Sequence, residues 1–336
     1  MINTVLVPTD FTIETEDLLG CIGELQHVGL KKVILLHVVD ILKAHGLTPM
    51  FERNAKEKIG EYADFVREME LEAETLVVVG DVKRTIAEVA EREDVDLIVM
   101  GTTTPGIIRG KLLGRTTEYI VRKSKKMVLV EKYDALKEGK ETYAKTCTAT
   151  FSRILVPMDC SLEAMRAIRV LSSFAGMTRE VLLVHVIENI KDLDFLEEQR
   201  EEVLQMLRKI GDELKGFDVS HRVIEGIPSD EIARLALKEE VTLIMLTSRG
   251  KGIIEELLLG STAENVLRKT IKPVLLIPSG KGMGGEEKGE EKEEGAGREE
   301  KEEGAGREEK EEGAGRGEKE EGAGRGEKNE GKEGGA

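Results

Sequence analysis

The most constraining feature of this sequence is that five segments of its first half recur, in the same order, in its second half. The separation between each segment and its copy stays between 146 and 149 residues. The first-half segments are 4–10, 32–38, 95–101, 112–114 and 126–130, and their copies are 153–159, 180–186, 241–247, 258–260 and 272–276. Five ordered matches at nearly constant separation indicate duplication of a whole domain rather than a solenoid of short repeats.

Within each copy, short apolar runs alternate with amphipathic stretches. The runs 5–7 and 33–36 are apolar on both strand faces, which is typical of parallel strands covered on both sides by helices. The stretch 85–93 places its apolar residues on one helical face, and 230–238 repeats that stripe. The sequence therefore predicts an α/β fold of two tandem, doubly wound, open parallel five-stranded sheets. In such sheets ligands bind beyond the carboxyl ends of the strands.

Composition divides the chain into four parts. We predict a first domain at 1–132, a polar linker at 133–150, a second domain at 151–279 and a tail at 280–336. The tail has 20 Glu against 12 Lys and Arg from Lys281 onward, half of the chain's net charge of −16, and no large apolar residue after Met283. Such a segment is expected to be disordered, because it cannot bury enough apolar area. A solvated spacer is the simpler interpretation of it, and an interaction tail is the alternative.

Charge and cysteine content exclude several classes of protein. The acidic balance argues against nucleic-acid binding. The three cysteines, Cys21, Cys147 and Cys160, form no Cys-x-x-Cys pair, which favours a reduced, cytoplasmic protein. We expect no secretion signal and no membrane span, because the chain has neither a basic start with an apolar run nor ~18 consecutive apolar residues.

Polar and glycine residues follow the predicted strands. Asp10 and Asp159 come after the first strand of each copy, and a His-Val pair ends each second strand. In the second copy, Thr247-Ser-Arg-Gly250 follows the fourth strand, and Gly260-Ser261-Thr262 comes after nine intervening residues. These residues would meet at the carboxyl edge of the sheet.

These motifs resemble the universal stress protein family in its tandem form. Leu-Val-Pro-x-Asp, Leu-x-His-Val and a terminal Pro-Val-Leu-Leu-Ile-Pro carry the resemblance, over roughly residues 1–132 and 152–278. ATP-binding members have Gly-x2-Gly-x9-Gly-Ser/Thr after the fourth strand. The resemblance implies a Rossmann-like fold of the adenine nucleotide alpha hydrolase type. It also implies binding of ATP or another adenine nucleotide, with or without Mg²⁺.

Carried over residue by residue, the resemblance favours the second domain as the binding domain. Its candidate nucleotide-binding residues are Pro157, Asp159, Val186, Thr247, Arg249, Gly250, Gly260, Ser261 and Thr262. Glycines let a backbone approach phosphates, and a helix that begins at Gly260-Ser261 attracts anions. Thr247 replaces the first motif glycine, which would weaken binding if the position needs a positive φ or the closest contact with the ribose. Arg249 and Lys251 would supply positive charge.

The first domain keeps less of the motif. Its weaker candidates are Pro8, Asp10, Val38, Gly101, Gly114, Arg115 and Thr116. Thr104-Pro105 replaces the second glycine and stiffens the loop, and Arg115 replaces the serine.

Each candidate also has a structural interpretation. Ser261 with Glu264 forms an ordinary capping-box pattern, and Asp10 and Asp159 are suited to cap the first helix of each domain. Gly114 and Gly260 are also compatible with simple turns. His37 and His185 favour a structural role, since no metal-ligand spacing surrounds them. The basic residues of 122–126 fit complementarity to a helix dipole.

No catalytic motif is found, since the sequence lacks a P-loop, a nucleophile elbow and a paired acid and base. We therefore expect a nucleotide-responsive binding protein rather than an enzyme. A scaffold that has lost nucleotide binding is the alternative, and a very slow ATPase is the third interpretation.

The family resemblance also implies how the domains associate. The last strands, Val128–Val130 and Val274–Leu276, are expected to pair within one chain as a pseudo-dimer, which covers two sheet edges. A homodimer of such chains is compatible with the sequence.

Overall fold

The computed structural model describes residues 2–12, 14–43, 47–104, 113–135, 143–145, 149–188, 193–250 and 259–279. The predicted disordered tail therefore lies outside the described residues, as do Pro105, Cys147 and Lys251. The strands are β1 (Thr4–Pro8), β2 (Lys32–Asp40), β3 (Glu72–Gly80), β4 (Leu97–Thr104), β5 (Met127–Ala135), β6 (Tyr143–Lys145), β7 (Arg153–Pro157), β8 (Glu180–Ile187), β9 (Asp218–Glu225), β10 (Leu243–Thr247) and β11 (Val274–Ile277). The helices are α1 (Glu14–Gly23), α2 (Thr48–Glu68), α3 (Val82–Arg92), α4 (Arg115–Lys123), α5 (Ala164–Ser172), α6 (Leu193–Glu213), α7 (Pro228–Lys238) and α8 (Ser261–Lys269), with a 3₁₀ turn at Glu24–Val28.

Each domain forms the predicted doubly wound parallel sheet. The strand order is β3-β2-β1-β4-β5 in the first domain and, read from its outer edge, β9-β8-β7-β10-β11 in the second. All pairs within these two sets are parallel. Strand order reverses beside β1 and beside β7, so the carboxyl ends of β1 and β4, and of β7 and β10, border the crevice where such folds bind ligands.

The two five-stranded sheets join into one continuous sheet. Strands β5 and β11 pair antiparallel, with Val130 opposite Val274 and Val128 opposite Leu276. This is the strand pairing that the sequence predicted. Because both partners would otherwise be sheet edges, their pairing covers two rows of backbone N–H and C=O groups.

Buried apolar residues lie on both faces of this sheet. One cluster includes residues of α1, α2, α5 and α6, and the other includes residues of α3, α4, α7 and α8. The strands between them are buried on both sides, for example Leu6 and Val7, which face opposite clusters. This explains the continuous apolar runs in the sequence.

The segment expected to be a linker begins inside the sheet. Strand β5 continues to Ala135, and β6 pairs antiparallel with its end, with Tyr133 opposite Lys145. Tyr133 and, beyond the gap, Phe151 are fully buried. The polar composition of 133–150 obscured this, because the strand needs only a few apolar side chains to reach the core.

Among the described residues, no helix combines the length and apolar composition needed to cross a membrane.

Candidate functional site

At the carboxyl end of β7, Asp159 is held by a turn of its own. Its Oδ1 accepts hydrogen bonds from the Ser161 backbone N at 3.0 Å and the Ser161 Oγ at 2.5 Å. Cys160 between them has φ +64°, a conformation that a non-glycine residue rarely adopts. Phe11 has φ +63° at the corresponding position of the first domain. The same tight turn therefore follows the first strand in both domains.

The other oxygen of Asp159 lies against Gly250. A Cβ at Gly250 would overlap Oδ2 of Asp159 and lie 3.3 Å from its Cγ. Gly250 does not have a positive φ, so the glycine is needed here for close approach and not for its backbone freedom. The structure thus brings together two residues that the sequence separates by 91 positions.

The N-terminus of α8 is fixed beside the end of β10. Gly260 is the N-cap residue, and its N–H donates to the carbonyl of Ser248 at 2.7 Å. Ser248 is buried, and its Oγ accepts a hydrogen bond from the Ser279 N–H at 3.0 Å. Ser261 is exposed and begins the helix. The first turn of α8 therefore presents N–H groups with a partial positive charge next to the β10 loop.

Thr247 and Arg249 lie on that loop. Thr247 ends β10, has no positive φ, and its Oγ1 donates to the carbonyl of Arg249 at 2.6 Å. The backbone at this position therefore does not need a positive φ, and that reason for weaker binding does not apply. The Nε of Arg249 is buried and makes no hydrogen bond within the part of the chain that the structure describes. An anion at this loop would supply an acceptor for it.

The remaining candidates of the second domain border the same crevice. Pro157 ends β7 and Val186 lies near the end of β8, both half-buried. Val186 packs against the apolar cluster under α7 and α8. Thr262 is half-buried in the first turn of α8.

Two structural interpretations from the sequence are wrong. Ser261 is not a cap, because Gly260 holds the N-cap position and no side chain caps α8. Asp159 does not cap α5, whose N-cap is Glu163, and Asp10 lies four residues before the start of α1. Both carboxylates instead bond the residue two positions ahead, an arrangement that Asp often makes at turns.

The first domain places its candidates differently. Asp10 is exposed and accepts from Thr12 Oγ1 at 2.9 Å. Gly101, on β4, lies against the ring of Tyr133, and a Cβ there would be 3.1 Å from the ring's Cε2. By the spacing of 146 residues, Gly101 and Tyr133 correspond to Thr247 and Ser279 in the second domain. The first motif glycine therefore accommodates a tyrosine in one domain and is not needed in the other.

The start of α4 in the first domain has the same backbone conformation at its N-cap as the start of α8, but different side chains follow it. Gly114 is the N-cap of α4, and its N–H donates to Thr102 Oγ1 at 3.3 Å. Arg115 is exposed and Thr116 is half-buried in the first helical turn. Val38, near the end of β2, is buried in the apolar cluster.

The two histidines have structural contacts, as the sequence favoured. The Nδ1–H of His37 donates to Thr9 O at 2.9 Å, and that of His185 donates to Met158 O at 2.7 Å. His37 also stacks on Phe11 with ring centroids 4.2 Å apart. Burial lowers the pKa of His37 and exceeds the opposing effects of the Thr9 carbonyl and Asp10.

Four charged residues connect α4 to α8. Arg122 contacts Glu264 at 2.5 Å, and Arg268 contacts Glu118 at 2.6 Å. Glu118 and Arg122 correspond to Glu264 and Arg268 in the repeat, so the two contacts are related by the duplication. From the sequence, Arg122 was assigned only to a basic cluster. Each Glu-Arg pair at i, i+4 has the spacing of an ordinary pair on a helix surface, so a contact with the other domain was not predicted. The helices that begin at the two candidate sites are joined by this cluster.

Sequence reasoning also missed Ser248 and Thr102. A hydroxyl residue stands at the same repeat position in both domains, directly after the fourth-strand residue of the motif. Each of them accepts a hydrogen bond from the N–H of the N-cap glycine. Ser248 accepts it with its backbone carbonyl, and Thr102 accepts it with its side-chain Oγ1. Comparison of the two copies residue by residue would have found this signal.

The universal stress protein family model matches residues 1–132 and 150–278, most of the chain. The chain belongs to the universal stress protein family. Among universal stress proteins of Methanocaldococcus jannaschii, MJ0577 is 33% identical over 153 residues and MJ0531 is 31% identical over 140. Each similarity covers 38% of this chain, and 94% and 82% of the respective relative. The crystal structure of a universal stress protein from Archaeoglobus fulgidus has a TM-score of 0.64 at 25% identity, covering 83% of this chain and all of that one.

These findings confirm the predicted family and fold. A universal stress protein with two domains in one chain accounts for the duplicated motifs, and each family match ends close to the last strand of its domain.

Proposed function

We propose that the second domain of this universal stress protein binds an adenine nucleotide, ATP or AMP, at the carboxyl ends of β7 and β10. The observation that carries the proposal is the contact between the Asp159 carboxylate and Gly250, next to the N-terminus of α8. A carboxylate suits ribose hydroxyls, which donate hydrogen bonds to it, and helix N–H groups suit phosphates.

The loop residues support the phosphate end of this site. Arg249 has a buried Nε that meets no acceptor among the described residues, and the first turn of α8 presents Ser261 and Thr262. Charge-assisted hydrogen bonds from a guanidinium to a phosphate are about twice as strong as neutral ones. The adenine would lie toward the half-buried end of β8 near Val186, where backbone groups are available to its edge.

The proposed role is binding and response to the nucleotide rather than catalysis. The contacts of Asp159 with Ser161 and Gly250 need no acid–base pair to explain them. Mg²⁺ would enter with the phosphates, and a cytoplasmic location stays a prediction from the sequence.

Calorimetric titration of the full chain with ATP and AMP tests the proposal, together with thermal shift at the same concentrations. Binding stabilises the folded state by mass action, so a bound nucleotide raises the melting temperature. We expect measurable heat and a concentration-dependent shift. Neither heat nor shift at millimolar nucleotide would overturn the proposal and favour a scaffold.

A further inference from the structure

The last turn of α8 receives a hydrogen bond from the first domain. The Nζ of Lys132, on β5, donates to the carbonyl oxygen of Leu267 at 2.7 Å, and the Lys132 side chain is fully buried. Leu267 is among the last four residues of α8, whose carbonyls have no partner within the helix. A residue of the first domain therefore caps the helix on which the second domain's candidate site is built.

This contact has no counterpart in the other direction. By the spacing of 146 residues, Lys132 corresponds to Pro278 in the second domain. Proline has neither an N–H nor a side-chain donor, so it cannot make the same bond to the end of α4. The charged contacts between α4 and α8 follow the duplication, whereas the bond from Lys132 to the Leu267 carbonyl does not.

The two ends of α8 favour charges of opposite sign. The helix has nine residues and is about 13 Å long at ~1.5 Å per residue. Its dipole favours an anion at Gly260 and Ser261 and a cation at Leu267. A buried ammonium at one end therefore strengthens the attraction for phosphate at the other, and it also fixes the helix against β5.

We propose that Lys132 is a positioning residue for nucleotide binding in the second domain, acting on α8 through the Leu267 carbonyl. This inference rests on the proposed function of that site. It assigns the first domain a direct part in the binding reaction of the second, besides completing the sheet.

The charge of Lys132 depends on pH in the neutral range. Burial lowers its pKa to about 7. Glu131 precedes it on β5, Lys272 lies just before β11, the strand paired with β5, and Arg268 follows Leu267 on α8. Since the ordinary pKa is 10.5, the unfolded chain binds more protons than the folded one between pH 7 and 10.5. The free energy of unfolding therefore rises with pH in that window, while the attraction for phosphate falls as Lys132 loses its charge.

Lys132→Met tests the proposal in the full chain, with ATP as the probe, by calorimetry at pH 6.0, 7.0 and 8.5. At pH 6.0 we expect the variant to bind ATP about fivefold more weakly. Its melting temperature should not fall, because a buried charge is removed at the same time. The ratio of wild-type to variant affinity should approach one at pH 8.5. Lys132→Arg, which keeps its charge, should remove this pH dependence.

Lys269→Met is the matched control. Lys269 lies in the last turn of α8, as Leu267 does, but its side chain is exposed and pairs with Asp230. It should change ATP affinity by less than about twofold. If Lys132→Met fails to fold, the ratio of wild-type to Lys132→Arg affinity for ATP measures the same effect, because the titration of ATP itself cancels, and this ratio should fall as pH rises through 7.

Three results separate the possible failures. Equal ATP affinity of wild type and Lys132→Met at every pH would overturn the role of Lys132 and leave the proposed function standing. An equal loss in Lys269→Met would also overturn it, since any charge at that helix end would then suffice. A wild-type protein that binds no nucleotide would overturn the proposed function itself.

Discussion

The two candidate sites of this universal stress protein share one backbone arrangement and differ in the side chains that surround it. In the second domain, the Asp159 carboxylate lies against Gly250. In the first, Asp10 is exposed, and the position equivalent to Gly250 is Thr104. A residue with a Cβ at that position is incompatible with a carboxylate placed as Asp159 is. Gly250 therefore leaves room for the acidic side chain in the second domain, whereas the first domain has a threonine at the equivalent position.

A second substitution pair separates the domains. Gly101 accommodates the fully buried Tyr133, and their counterparts are Thr247 and Ser279. The tyrosine ring lies against Gly101 of β4, whereas the second domain has Thr247 and Ser279 at these two positions. The two domains therefore differ in the residues at their candidate sites, while the paired contacts between α4 and α8 follow the duplication.

The largest expected effect is that of Gly250→Ala. Its Cβ would overlap Asp159 Oδ2, so the carboxylate must leave its position, and ATP affinity should fall by more than about tenfold, roughly 1.4 kcal/mol. Calorimetry measures this. Gly114→Ala is the control, because Gly114 is the first-domain equivalent of Gly260 and a Cβ there would meet nothing nearer than 3.8 Å. It should leave ATP affinity unchanged, and an equal loss in both variants would contradict the distinction between the domains.

Arg249→Gln should have the next largest effect. Removing the charge should weaken ATP binding by about tenfold, since a hydrogen bond to a charged group contributes about 1.5–3 kcal/mol. Adenosine binding should change little, because it lacks phosphate. The matched variant is Arg115→Gln, an exposed residue at the first-domain helix start. If Arg115→Gln weakens ATP binding as strongly, the first domain binds the phosphates.

The smallest expected effect concerns the charged contacts between α4 and α8, which are equivalent in the two domains. Arg122→Met and Arg268→Met should each lower the free energy of unfolding by about 0.5–1 kcal/mol, because their contacts are partly exposed. Denaturant unfolding at low salt measures this, and 1 M salt should reduce both effects. A loss confined to one variant would show that the contacts are not equivalent, although the duplication relates them.

Much of the fold could be predicted from the sequence. Apolar runs such as 33–36 identified buried parallel strands, and the family resemblance implied the pairing of β5 with β11. The strand end at Ala135 and the strand at 143–145 could not be predicted, because they lack a run of large aliphatic residues and their pairing depends on the neighbouring strand.

The site was predicted less completely. The motif identified Asp159, Gly250 and Gly260, but not why Gly250 must be glycine, since that depends on a carboxylate 91 positions away. The motif also suggested that Thr247 would weaken binding if its position needs a positive φ. The backbone of β10 has no positive φ at Thr247, so this reason does not apply. Lys132 carried no local signal, because its partner is a backbone carbonyl in the other domain.

The number of nucleotides bound per chain tests the central claim most directly. Calorimetric titration with ATP should give one site per chain in the wild type and in Gly114→Ala, and greatly weakened binding in Gly250→Ala. Two equal sites per chain, or one site that Gly114→Ala removes and Gly250→Ala leaves intact, would contradict the account.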